Sequence, residues 1–115
     1  MNAADLAWCG GFFDGEGWIG LVYKPNPSKG IRSYISQKDR EVLDIFQSKI
    51  GFGRINGPYK SGKHCQLFRW EVSKYQDVKK LYTLLQPYLH TLKLQQFQQA
   101  IEKFENRPLK QRKRV

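Results

Sequence analysis

Residues 3–17, AADLAWCGGFFDGEG, set glycines beside large aromatics inside what otherwise reads as a helix. An interior glycine costs a helix roughly 1 kcal/mol against alanine, so the pattern calls for a contact that only small residues allow. The helix is expected over Ala3–Phe13, capped by Asn2 or a neighbour. Wound at about 100° per residue, Ala3, Ala7, Gly10, Gly11 and Asp14 form one stripe, with Ala4 and Gly15 at its edge. Leu6, Trp8, Cys9, Phe12 and Phe13 fill the rest of the circumference. The large side can pack on a core, and the small side lets another helix approach until backbones touch. No other predicted helix offers a matching small face. The same helix of a second copy does, and a two-fold axis closes the pair. On this reading Ala7, Gly10, Gly11 and Asp14 form the dimer interface; glycines that merely admit a loop or a ligand backbone are the alternative.

The rest of the chain punctuates cleanly. GWIGLVYK (17–24) alternates as a strand, PNPSKG (25–30) turns, and IRSYIS (31–36) returns. KDREVLDIFQSKIG (38–51) spaces Val42, Leu43, Ile45, Phe46 and Ile50 as a helix ending at Gly51. A second pair follows, FGRIN (52–56) and CQLFRWEV (65–72), joined by a loop through GPYKSGKH. Helices are expected over Gln76–Leu85 and Lys93–Phe104, with a break at Pro87. One domain, 1–106, and a basic tail, 107–115, are expected, the tail carrying Lys110, Arg112, Lys113 and Arg114. The fold class is α+β.

Strand alternation assigns the faces. Phe68, Trp70 and Val72 share one side of the last strand, and Leu67, Arg69 and Glu71 the other. In the first strand Ile19, Leu21 and Tyr23 oppose Trp18, Gly20, Val22 and Lys24. One face of the sheet packs on helices, while the other carries polar and basic groups. Ordinary hydration accounts for most such faces. Here the 115-residue chain carries a formal net charge of +10, which argues for a polyanionic partner. Nucleic acid comes first, because a two-stranded ribbon fits the major groove; an acidic membrane surface comes second. No apolar run reaches the roughly 20 residues of a bilayer span, and no signal-peptide pattern is present. Cys9 and Cys65 form no CxxC pair, and His64 and His90 are isolated, which fits a reducing compartment without a zinc site.

The two-fold axis has a chemical consequence. It sets two DGEG segments side by side, with Glu16 of each copy near the axis. Carboxylates that close repel unless a cation neutralises them, and hard oxygen ligands with open positions suit Mg²⁺. Paired divalent ions activate a water and stabilise the leaving oxygen of a phosphodiester. The combination points to a nuclease acting on duplex DNA.

CGGFFDGEG (9–17) resembles the motif of the LAGLIDADG homing endonucleases, with Gly17 as its ninth residue and Glu16 as its penultimate acid. KPN (24–26), QK (37–38), IGFG (50–53) and LLQPYL (84–89) leading to Lys93 are similar to the single-motif, homodimeric branch, so the likeness spans nearly the whole chain. It implies an αββαββα fold whose two copies form a saddle of antiparallel strands over a long pseudo-palindromic site. It implies Mg²⁺-dependent cleavage of both strands, with Mn²⁺ able to substitute, and no small-molecule substrate. With no span or signal pattern, the expected setting is intracellular: an organelle (chloroplast or mitochondrion) or bacterial or phage cytoplasm. Glu16 matches the metal-binding acid of the family, and Gln37 and Lys93 match the polar residues that order water around the scissile phosphates; Asp14 reads as scaffold. The DNA-facing set is Lys24, Asn26, Ser28, Arg32, Tyr34, Arg54, Asn56, Arg69 and Glu71. Lys29, Lys60 and Lys63 are expected on phosphates. Arg32, Arg54 and Arg69 could each read guanine or clamp phosphate. Glu41 stands where some members carry a basic residue, four positions beyond the glutamine, with Arg40 and Lys38 as possible substitutes. A non-cleaving DNA regulator or RNA-splicing maturase on the same scaffold is therefore the second reading. A structural protein that binds RNA nonspecifically is the third.

Overall fold

The computed structural model describes residues 2–22, 30–60, 62 and 66–107. Lys24, Asn26, Ser28, Lys29, Lys63 and the tail basic residues lie outside them.

Helix α1 (Ala3–Glu16) starts where Asn2 Oδ1 accepts from the Asp5 amide at 2.8 Å. It runs through Gly15 to Glu16 instead of stopping at Phe13. Strands β1 (Gly17–Leu21) and β2 (Ile31–Gln37) follow, then α2 (Arg40–Ile50), capped by Asp39 and ended by Gly51 at φ +92°. Strand β3 (Arg54–Lys60) pairs with β4 (Gln66–Val72). Then come α3 (Tyr75–Leu85), a 3₁₀ turn (Gln86–Tyr88) at Pro87, and α4 (Lys93–Glu105). The strands form one antiparallel sheet in the order β1-β2-β4-β3. Strand β3 is longer than FGRIN because a register shift between Asn56 and Tyr59 sets Gly57 and Pro58 against Phe68 alone, absorbing one extra residue, and pairing resumes at Tyr59–Leu67.

The helices cover one face of this sheet. Ile19, Ile31, Ile35, Trp70 and Val72 point into a core completed by Phe13, Leu43, Phe46, Leu81 and Phe97. Each such side chain contributes roughly 1.5–3 kcal/mol by leaving water. Trp70 sits at the centre, edge-on to Phe46 at 4.7 Å, its indole N–H donating to the Phe52 carbonyl at 2.9 Å. Phe13 anchors α1 against Phe97, with ring centroids 5.2 Å apart. Lys49 ties α2 to α1 through Asp5 at 2.9 Å.

Two members of the expected dimer stripe are reassigned. Gly10 is buried against its own chain: a Cβ there would lie 2.5 Å from Tyr88 Cβ. The glycine admits the 3₁₀ turn, the alternative that the sequence left open. Asp14 is partly exposed, and its carboxylate is engaged by the loop before α4 of its own chain. The exposed small stripe is instead Ala4, Ala7, Gly11 and Gly15, with Trp8 at its border. Among the described residues, nothing beyond the neighbouring turns of α1 itself lies within 4 Å of a Cβ built on Gly11 or Gly15.

Candidate functional site

Glu16 is the last residue of α1, exposed where the helix hands over to β1. The negative end of the helix dipole at this position favours a cation. Gln37 closes β2 alongside it, and its Nε2 donates to Glu16 Oε1 at 2.8 Å. Lys93 opens α4 and donates from Nζ to the backbone carbonyl of Asp14 at 3.1 Å. Three elements distant in sequence thus converge on the last turn of α1.

Asp14 holds that convergence together. Its carboxylate accepts from the His90 amide at 2.6 Å, the Thr91 amide at 3.2 Å and the Thr91 hydroxyl at 2.7 Å. Thr91 Oγ1 in turn accepts from the Lys93 amide at 3.2 Å. Burial alone would raise the Asp14 carboxyl. The hydrogen bonds from Thr91 and His90 outweigh it and hold the carboxyl below its ordinary value. Among the described residues no three His, Cys, Asp or Glu side chains stand together as a metal site. Among the described residues, Glu16 is the carboxylate of this cluster that accepts at only one of its oxygens, from Gln37.

The open face of the sheet begins beside this cluster. From β1 it takes Trp18 and Gly20, from β2 Arg32, Tyr34 and Ser36, from β4 Leu67, Arg69 and Glu71, and from β3 Arg54, Asn56 and Tyr59. Register aligns Trp18 with Tyr34, Tyr34 with Glu71, and Glu71 with Arg54 across all four strands. Ser36, Arg69 and Asn56 make the next row. Lys60 lies at the exposed end of β3 opposite Gln66, in the other parity. Arg40 pairs with Asp44 at 3.5 Å and lies over Phe68, while Glu41 serves the Asp39 cap through its amide.

No family model matches this sequence, and no curated protein matches it. Solved structures do. The homing endonuclease I-CvuI, in complex with the I-CreI target, superposes with a TM-score of 0.72 at 21% identity, over 96% of this chain and 73% of that one. The archaeal intron-encoded homing endonuclease I-Vdi141I, complexed with DNA, gives 0.69 at 25% identity over 89% and 67%. The LAGLIDADG meganuclease I-CpaMI, bound to uncleaved DNA, gives 0.65 at 23% identity, this chain spanning 37% of it. The chain has the LAGLIDADG homing endonuclease fold.

Within this LAGLIDADG fold, two groups of residues were left out of the candidate site residues drawn from sequence. Trp18 and Tyr59 are 37% and 45% exposed on the open face. Trp18 was legible from its alternation with Ile19, but Tyr59 was not, because Gly57-Pro58 reads as the start of a loop. Thr91 and His90 were also missed. Their partner Asp14 lies 77 and 76 residues away, and no local pattern announces such a contact.

Proposed function

We propose that this protein is a site-specific homing endonuclease. Two copies meet along the Ala4–Ala7–Gly11–Gly15 stripe, grip a long pseudo-palindromic duplex on their open sheets, and hydrolyse one phosphodiester in each strand with Mg²⁺. The carrying observation is the convergence of Glu16, Gln37 and Lys93 on the last turn of α1, at the border of an open basic sheet. The similar structures, homing endonucleases in complex with DNA, support the same reading.

The residues fit a hard divalent ion as half of a donor set. Glu16 keeps one carboxylate oxygen outside its bond to Gln37, and a second copy would bring the other carboxylate. When bound, such an ion supplies activation of a water and stabilisation of the leaving oxygen. Gln37 fixes the Glu16 carboxylate and retains a second amide hydrogen to orient water or a phosphate oxygen. Lys93 spends one of its three donors on the Asp14 carbonyl, leaving its charge and the other two for the scissile phosphate. The open sheet contributes positioning through phosphate contacts and discrimination through base contacts.

The test is selection of a bound duplex from a random half-site library, then incubation of the protein with that duplex and Mg²⁺. Cleavage of both strands is expected. Tight, selective binding without scission in either Mg²⁺ or Mn²⁺ would favour the non-cleaving reading, toward which the Arg40–Asp44 pair and Glu41 point.

A further inference from the structure

The open face carries three arginines, and the structure treats one of them differently. The side chains of Arg32 and Arg54 make no hydrogen bond, ion pair or ring contact among the described residues. Arg69 is fixed on three sides. Its guanidinium lies 4.1 Å from the Tyr34 ring centroid and 5.7 Å from that of Tyr59. Its Nε donates to Ser36 Oγ at 3.2 Å. Tyr34 is itself backed by Trp18, stacked at 4.9 Å and 19°, whose indole lies over Gly20. A ladder of indole, phenol, guanidinium and phenol therefore crosses all four strands.

No carboxylate pairs with Arg69 among the described residues, and no hydrogen bond there uses its two Nη groups. What remains is a planar fork of donors, held by its faces and by Nε, with the terminal edge unclaimed. A base edge with two adjacent acceptors matches that fork, and in the major groove this means guanine O6 and N7. A phosphate also accepts two donors, but it gains little from a fork fixed in advance, since backbone contacts position without reading sequence. Preorganisation removes the freedom a long side chain would otherwise lose on binding.

Resting on the DNA-binding reading above, we propose that Arg69 is a specificity-determining residue that reads one guanine in each half-site. Tyr34, Tyr59 and Ser36 are the positioning residues that aim it. Arg32 and Arg54, unclamped, serve the phosphates and adaptable contacts.

The experiment measures binding of the full chain to duplexes varied at every half-site position, for wild type, Arg69→Lys and Ser36→Ala. Wild type should prefer guanine at one position by about 5- to 150-fold, the discrimination typical of a bidentate contact. Arg69→Lys keeps the charge and should lose most of that preference while retaining preferences elsewhere. Ser36→Ala should weaken the same preference and no other. Replacing that guanine with 7-deazaguanine should weaken wild type and leave Arg69→Lys unchanged. A loss spread evenly over all positions would make Arg69 a phosphate clamp, overturning the guanine assignment and leaving the DNA-binding reading standing. Duplex binding without any sequence preference in wild type would overturn both the guanine assignment and the site-specific reading.

Discussion

Gln37 Nε2 donates to Glu16 Oε1 across 2.8 Å, joining the end of β2 to the end of α1. The bond lies at the exposed edge of the cluster, so its net worth to folding is about 0.5–1.5 kcal/mol. Its consequence for chemistry is larger, because it fixes the carboxylate that would hold a cation. Groups that orient a metal ligand typically cost about 10- to 100-fold in affinity or activity when removed. Gln37→Ala should lower cleavage by that order and raise the Mg²⁺ concentration needed, with a melting temperature close to wild type. Single-turnover cleavage against Mg²⁺ concentration checks this.

Asp14 is predicted to be a pH-dependent latch. Its carboxyl is held below the ordinary 3.8 by the Thr91 and His90 hydrogen bonds, which prevail over burial. A folded value below the unfolded one contributes stability that is fully present above the unfolded value and is lost as pH falls through the folded one. Asp14→Asn should therefore be less stable than wild type at neutral pH, by about 1–2 kcal/mol, with the gap closing below pH 3.8. Urea denaturation at a series of pH values measures it. A gap that stays constant to low pH would remove Asp14 from this role.

Gly10 and Gly11 are adjacent and should behave oppositely. A Cβ at Gly10 meets Tyr88 Cβ at 2.5 Å, and overpacking of this kind costs about 1–3 kcal/mol. At Gly11 nothing beyond the helix's own neighbouring turns lies within 4 Å among the described residues, and alanine gains up to about 1 kcal/mol of helix propensity. Gly10→Ala should lower the melting temperature. Gly11→Arg should fold as wild type but sediment as a single chain, because the bulk falls where the second copy is placed. Analytical ultracentrifugation beside thermal unfolding separates the two effects.

The sequence made the secondary elements legible wherever local periodicity is strong. Helix α2 appears with its Gly51 stop, and the faces of β4 follow from Phe68, Trp70 and Val72 alternating with Leu67, Arg69 and Glu71. What it could not settle was which small residues face outward. Gly10 and Gly11 differ by only about 100° around the helix. Which of them is covered depends on Tyr88, whose position is set by the break at Pro87 and the packing of Leu85 and Leu89. The convergence of Glu16 with Gln37 and Lys93 was reachable through resemblance, because motifs preserve spacing that physics alone leaves open. The Asp14–Thr91 bonds and the Arg69 ladder were not, since both are tertiary contacts between elements that carry no local signal of each other.

If Glu16 is the cation-binding acid of a DNA-cleaving site, its charge is what cleavage needs. Wild type and Glu16→Gln are compared on the selected duplex with Mg²⁺, following binding and strand scission in the same samples. The variant should bind within a few-fold of wild type and cut neither strand, because an amide keeps the contact to Gln37 but cannot supply the charge. Cutting at the wild-type rate by Glu16→Gln would contradict it.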